Sequence, residues 1–200
     1  MAFINPRSKQ IQIKIVYCGP ASSGKTACLI YIYQHLKQQV SAQLMTINAY
    51  GDHTLFFDFL PFSLEDVHGF DIKVRLYTVP GKAQYDATRR TLLKGVDGLV
   101  FVADASAMRK TNVLSLKNLQ VNLAANRLDL QKVPLVLQFN KVDLAEQGVM
   151  LLPDPILLGD LNSRLRRPYF RSSAVSGLNV LAALKKIVTM SIASIDGRGR

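Results

Sequence analysis

The run Gly19-Pro-Ala-Ser-Ser-Gly24-Lys25-Thr26 has the spacing G-x-x-x-x-G-K-[ST], which is how a chain cradles phosphate. Its glycines let the backbone curl until successive N–H groups point inward at phosphate oxygens. Lys25 is placed to neutralise β- and γ-phosphate charge, and the Thr26 hydroxyl to ligate Mg²⁺. Gly19, Ala21, Ser22, Ser23, Gly24, Lys25 and Thr26 are therefore the expected phosphate-binding residues. The alternative is an ordinary glycine-rich turn, but this run follows a strand-like segment and opens a helix-like one, the setting the chemistry needs. By itself the loop does not choose between ATP and GTP.

Asn140-Lys141-Val142-Asp143 supplies that choice. A carboxylate can accept two hydrogen bonds, from the guanine N1–H and the 2-amino group, and adenine offers neither donor. Asp143 thus favours a guanine base and argues against a kinase or ATPase that uses the same phosphate loop. Further on, Ser172-Ser173-Ala174-Val175-Ser176-Gly177 follows another strand-like run, and a backbone N–H there, assigned to Ala174, could donate to guanine O6. For either motif alone, a polar loop is the lesser alternative. In this order behind a phosphate loop, Asn140, Lys141, Asp143, Ser173 and Ala174 are the expected guanine-binding residues.

Elements that could hold these loops follow from the apolar period, which switches between strand and helix values as in an α/β domain. Ile11, Ile13 and Ile15 alternate with polar residues and lead into Val16-Tyr17-Cys18, a first strand. Cys28, Leu29, Ile32 and Leu36 form a helical stripe, and a long connector then runs from about Gln38 to His53. Residues 55–60 and 70–77 read as a pair of strands around a turn-rich stretch from Pro61 to Gly69. Residues 98–103, 134–139 and 169–172 supply three more strands, the central ones nearly continuous apolar runs that suit burial on both faces. Helices are expected over about Lys110 to Arg127 and Val180 to Ile195, while Leu144 to Leu165, broken by Pro153 and Pro155, gives no clear reading. The expectation is a central six-stranded, mostly parallel sheet flanked by helices, as one domain over residues 1–200.

Composition narrows the class. Hydrophobic residues make up 48% and charged residues 20%, ordinary globular usage that excludes a largely disordered chain. No apolar run reaches the ~18 residues of a membrane span. The N-terminus has no charged segment followed by an apolar one, so no secretory signal is expected. Cys18 and Cys28 are too few for a disulfide framework and read as small core residues in a reducing, cytoplasmic setting. The net charge of +11 comes from basic residues spread along the chain, with a local cluster at Arg164, Arg166, Arg167 and Arg171. No zinc-finger spacing or RNA-binding signature accompanies them, so a solvated face is expected and nucleic acid is not. A C-terminus of Asp196-Gly-Arg-Gly-Arg200 offers no cysteine for a prenyl anchor, and the domain is expected to be monomeric. Asp97 and Asp104 flank the fourth strand and are expected in strand-end roles.

Phosphate loop and base reader together resemble the Ras-superfamily GTPases over essentially the whole chain. Thr54-Leu-Phe-Phe-Asp-Phe-Leu-Pro61 and Thr78-Val-Pro-Gly81 narrow the resemblance to the MglA-type bacterial small GTPases. That resemblance implies a Ras-like fold and a GTP/GDP switch with Mg²⁺ that acts in cell polarity and gliding motility, recruited from the cytoplasm to a cell pole. It also implies regulation by a roadblock-fold, MglB-like activator and readout by polarity and motility effectors. Thr54 would be the switch threonine, joining Thr26 on Mg²⁺, and Gly81 would meet the γ-phosphate through its N–H. Thr78, Pro80, Gly81 and Lys82 would complete the switch, and the strand beside the effector-facing loops would shift register.

Three positions depart from the pattern. Lys82 stands where these proteins carry a glutamine that orients the attacking water, and a charged lysine has no acceptor for a water proton. His53 stands where the MglA type carries an arginine able to serve as an internal finger, and Ala21 replaces a loop glycine. The catalytic positions His53 and Lys82 thus predict tight GTP binding with slow hydrolysis, unless Lys82 touches the γ-phosphate itself. Two readings stay open: a slow GTPase that an activator assists, and a catalytically silent, GTP-bound adaptor.

Overall fold

Ile11, Ile13, Ile15 and Tyr17 point to one side of the second strand and Val16 and Cys18 to the other, and both sets are buried. A strand apolar on both faces must be covered twice, and this one sits at the centre of a sheet with helices above and below. The computed structural model describes residues 3–5, 9–36, 45–46, 58–67, 70–81 and 85–196. Among them run β1 (Phe3–Asn5), β2 (Gln10–Cys18), α1 (Lys25–His35), β3 (Met45–Thr46), β4 (Asp58–Val67), β5 (Phe70–Thr78) and α2 (Asp86–Leu93). They are followed by β6 (Gly98–Asp104), α3 (Arg109–Ala125), β7 (Leu135–Asn140), α4 (Asp154–Leu161), β8 (Tyr169–Arg171) and α5 (Val180–Asp196). His53, Thr54 and Lys82 lie outside the described residues, as does most of the connector before them.

Strand order is β3-β4-β5-β2-β6-β7-β8, with β1 folded back antiparallel on β2. The five strands β5, β2, β6, β7 and β8 are parallel, while β4 pairs antiparallel with β5 and β3 antiparallel with β4. The α/β, mostly parallel expectation holds, with eight strands among the described residues in place of six. The additional two are β1 and β3, of three and two residues, too short to leave a period in the sequence. The expected turn over 61–69 is corrected as well, because β4 continues to Val67 with a bulge between Leu64 and Val67. Pro61 fits there because β3 reaches only Asp58 and Phe59, leaving the described strand an open edge at the proline.

After α1 the chain places β5 on one side of β2, then crosses over with α2 to lay β6 on the other. That reversal opens a crevice at the carboxyl ends of β2 and β6, where open parallel sheets bind ligands. Cores form on both faces: α1 and α5 cover Ile13, Val74 and Val100, while α2, α3 and α4 cover Val16, Leu99 and Leu137.

Helices α2 and α4 were not legible in the sequence. Helix α4 starts because of the prolines that obscured it, with Pro153 at its N-cap and Pro155 in its first turn, where a missing N–H costs nothing. Helix α2 buries only Leu92, Leu93 and Arg89, and polar contacts hold it to α3. Asn118, Asn122 and Asn126 recur one turn apart on α3. Asn118 and Asn122 donate to Asp86 Oδ1 at 3.2 and 3.4 Å, Arg90 Nε donates to Asn122 Oδ1 at 3.0 Å, and Asn126 donates to the Arg90 carbonyl at 2.9 Å.

Candidate functional site

Cys18 ends β2 in the core, and Gly19 turns away from it at φ +141°. A Cβ at Gly19 would lie 2.2 Å from the Val102 carbonyl oxygen of β6, so only glycine passes there. The loop then reverses through Ser22, at φ +59°, and enters α1 at Gly24, at φ +96°. Helix α1 has no side-chain cap from its N-cap residue Gly24, and its first turn lies next to the loop. The Lys25 side chain folds over the loop and donates to the Gly19 and Pro20 carbonyls at 3.1 and 2.5 Å, with Ser23 Oγ at 3.5 Å. Its ammonium is buried at the centre of the curl, while Ala21, Ser22 and Thr26 face outward.

Asn140 ties this loop to the two others. Its Nδ2 donates to the Ser23 carbonyl at 2.8 Å. Its Oδ1 accepts from the Ala174 N–H at 3.0 Å and from Ser172 Oγ at 3.3 Å. Gly24 makes this possible, since a Cβ there would sit 2.2 Å from Asn140 Nδ2. Asn140 is thus a clasp between the loops, and the Ala174 N–H faces it. Ser173 is fully buried, and its hydroxyl accepts from the Ser176 N–H at 3.1 Å, which shapes the turn.

Lys141 takes a left-handed φ of +71° and sends its ammonium to Asp104 Oδ2 at 2.6 Å. Parallel pairing of β6 and β7 sets Asp104 opposite Asn140, which explains the meeting. Asp104 is buried, with Oδ1 accepting from the N–H and hydroxyl of Ser106 at 2.9 and 2.7 Å. Sequence reasoning placed Asp104 at a strand end but missed this partner; the signal was a buried-strand aspartate one register step from a motif lysine. Asp97 does serve as a strand-end anchor, accepting the Lys14 N–H at 3.0 Å.

Asp143 follows in a short 3-10 turn, and its Oδ1 is buried with no hydrogen-bond partner among the described residues. Burying an unpaired carboxylate oxygen costs free energy, and a ligand carrying two N–H donors would offset that cost. The residues therefore fit a guanine base. For a divalent cation, the described residues hold no cluster of three His, Cys, Asp or Glu side chains. What remains is the outward-facing Thr26 hydroxyl beside the loop, a donor set that suits Mg²⁺ carried in with phosphate oxygens and water.

Thr78 closes β5 opposite Tyr17, and the Val79 N–H donates to the Tyr17 carbonyl at 3.1 Å. Thr78, Val79 and Pro80 are buried, and Gly81 reaches the phosphate loop itself. A Cβ on Gly81 would lie 2.2 Å from the Ala21 nitrogen and 2.5 Å from its Cα, so the Gly81 backbone is seated on that loop. Cys18 and Cys28 are buried free thiols, both pushed up to about 12 by burial, which leaves them inert as nucleophiles.

Residues 2–191 match the model of the ADP-ribosylation factor family. The chain is 40% identical over 203 residues to the mutual gliding-motility protein MglA of Myxococcus xanthus, covering 100% of both chains. It is 23% identical over 189 residues to the Ypt/Rab-type GTPase ypt7 of Schizosaccharomyces pombe, covering 94% of this chain and 86% of the relative. A Ras-related protein Rab7 of Vigna aconitifolia is 23% identical over 183 residues, or 91% of this chain and 83% of the relative.

Proposed function

The chain belongs to the ADP-ribosylation factor family, as a small GTPase of the MglA type, and on that premise we propose that it is a slow-hydrolysing guanine-nucleotide switch in cell polarity and motility. The observation that carries the nucleotide part is the buried, unpartnered Asp143 carboxylate oxygen, beside a phosphate loop that Asn140 fixes in place. Support for the process comes from full-length similarity to a gliding-motility protein.

In this reading Lys25 exchanges its loop carbonyls for β- and γ-phosphate oxygens, while the first-turn N–H groups of α1 donate to phosphate. Thr26 and Thr54 would hold Mg²⁺, which would supply charge neutralisation at the phosphates. Asp143 accepts the base N–H groups, Lys141 is kept beside the base by Asp104, and the Ala174 N–H turns part of its hydrogen bond from Asn140 to guanine O6. Gly81 would leave Ala21 to meet the γ-phosphate, so its seat on the loop is what GTP displaces. A roadblock-fold regulator and polarity effectors would read the difference between the two seats, at a cell pole.

Hydrolysis is expected to be slow. A finger arginine contributes ~10³–10⁵ in rate, and this chain has His53 and Lys82 where an arginine and a water-positioning glutamine would act. An unperturbed imidazole is mostly neutral at pH 7, and a lysine cannot accept the water proton. Single-turnover phosphate release from the GTP-loaded protein, with and without a roadblock-fold partner, checks this. The expected trace is flat alone and rises with partner; a fast unassisted burst would overturn the slow-enzyme reading. A trace that stays flat with partner favours the second reading, a GTP-bound adaptor, for which the lost catalytic groups are the specific support.

A further inference from the structure

Away from the nucleotide crevice, α3 and α4 enclose a groove of about 400 Å³. Its lining mixes polar side chains with apolar ones, Val113 and Leu116 from α3, Leu130 from the loop leading to β7, Leu161 at the end of α4 and Leu165 just beyond it. Its rim is cationic, with exposed Lys117 on one wall and exposed Arg164 on the other. The acidic residue of the lining, Asp160, is already neutralised by Arg109, whose Nη2 and Nε donate to its two carboxylate oxygens at 2.6 and 2.8 Å. Outside the lining, Arg167 donates to the carbonyl of Gln131, a lining residue. The charged lining is therefore Lys117, Arg164 and the paired Asp160, around a partly apolar trough.

The apolar surface also continues over the lip. Leu114 and Val121 lie two turns apart on α3, flanking Lys117, and are 52% and 60% exposed. Isolated exposed apolar residues are ordinary, but these two stand on the same helix as the groove residues Val113, Leu116 and Lys117. We propose that the α3–α4 groove docks a short amphipathic segment of a protein partner, with apolar side chains in the floor and carboxylates against Lys117 and Arg164. Charge complementarity selects an acidic segment, since the chain carries +11 and the charged lining residues are Lys117, Arg164 and an Asp160 already paired with Arg109. Concavity selects a peptide over a lipid surface: a flat headgroup plane would meet the rim cations but not the floor. A helix laid in a groove reaches such a floor with anchors at i, i+3 and i+4.

The probe is a fluorescein-labelled amphipathic peptide of about 15 residues, with leucines on one face flanked by glutamates. Anisotropy titration with the full-length protein should saturate. Binding should weaken at least about tenfold in Lys117→Glu/Arg164→Glu, and by much less in Lys185→Glu/Lys186→Glu, which makes the same charge change on exposed α5 positions. A peptide with serine for leucine should also lose binding if the floor takes part. Circular dichroism melting confirms that each variant is folded. The proposal is overturned by absent binding, by equal loss in the two charge-reversal variants, or by equal binding of the serine peptide. It is also overturned if phosphatidylglycerol vesicles, and not the peptide, bind in a Lys117- and Arg164-dependent way, because the face would then meet a membrane.

Discussion

Asp143→Ala is expected to lower affinity for both GTP and GDP by ~10²–10⁴ while leaving ATP binding, weak to begin with, unchanged. The substitution removes two charge-assisted hydrogen bonds to the base, each contributing about 1.5–3 kcal/mol. A second, opposite effect follows from the buried Oδ1, which has no partner among the described residues without nucleotide. Deleting a half-buried carboxylate with one buried, unsatisfied oxygen removes a desolvation cost, so the nucleotide-free variant should melt no lower than the nucleotide-free parent. Titration of a fluorescent GDP derivative and a melting curve read the two effects separately. Unchanged GDP affinity would remove Asp143 from the base site, and a large drop in melting temperature would mean that its role is structural.

Gly24→Ala is expected to cost about 2–5 kcal/mol of stability together with most of the nucleotide affinity. Two terms add. An alanine at φ +96° carries left-handed strain, and its Cβ would drive into Asn140 Nδ2 at 2.2 Å. The Asn140 amide must then release the Ser23 carbonyl, and the bonds to Ala174 and Ser172 go with it. Strain and clasp can be separated by a double-mutant cycle. In an Asn140→Ala background the methyl has room, so Gly24→Ala should cost only the strain. If it costs the same in both backgrounds, Asn140 is not what excludes a side chain at Gly24.

The candidate site was largely legible because the residues assigned to it fall in short runs. Gly19 to Thr26 and Asn140 to Asp143 each specify a local backbone and a local set of donors, and both stand at the ends of strands that the apolar period reveals. What stayed hidden depends on pairing across the sheet. Asn140 reads from its motif as a base contact, yet its structural work is to join Ser23 to Ala174, more than a hundred residues away on one side. The Asp104 anchor for Lys141 exists only because β6 and β7 run parallel in the register that sets Asp104 opposite Asn140. Helix α2 escaped for a different reason: its apolar face is only Leu92 and Leu93 in the last turn, and Asp86 and Arg90 tie the rest to asparagines of and just after α3. Gly81 was singled out from family resemblance, and its close seat on Ala21 gives the position a physical basis.

Competition for a bound fluorescent GDP derivative, run in Mg²⁺ with GTP and ATP as competitors, tests the central claim that this chain is a guanine-selective nucleotide switch. The account predicts displacement by stoichiometric GTP and none by a large excess of ATP. Equal displacement by the two, or failure of either to compete, would contradict it.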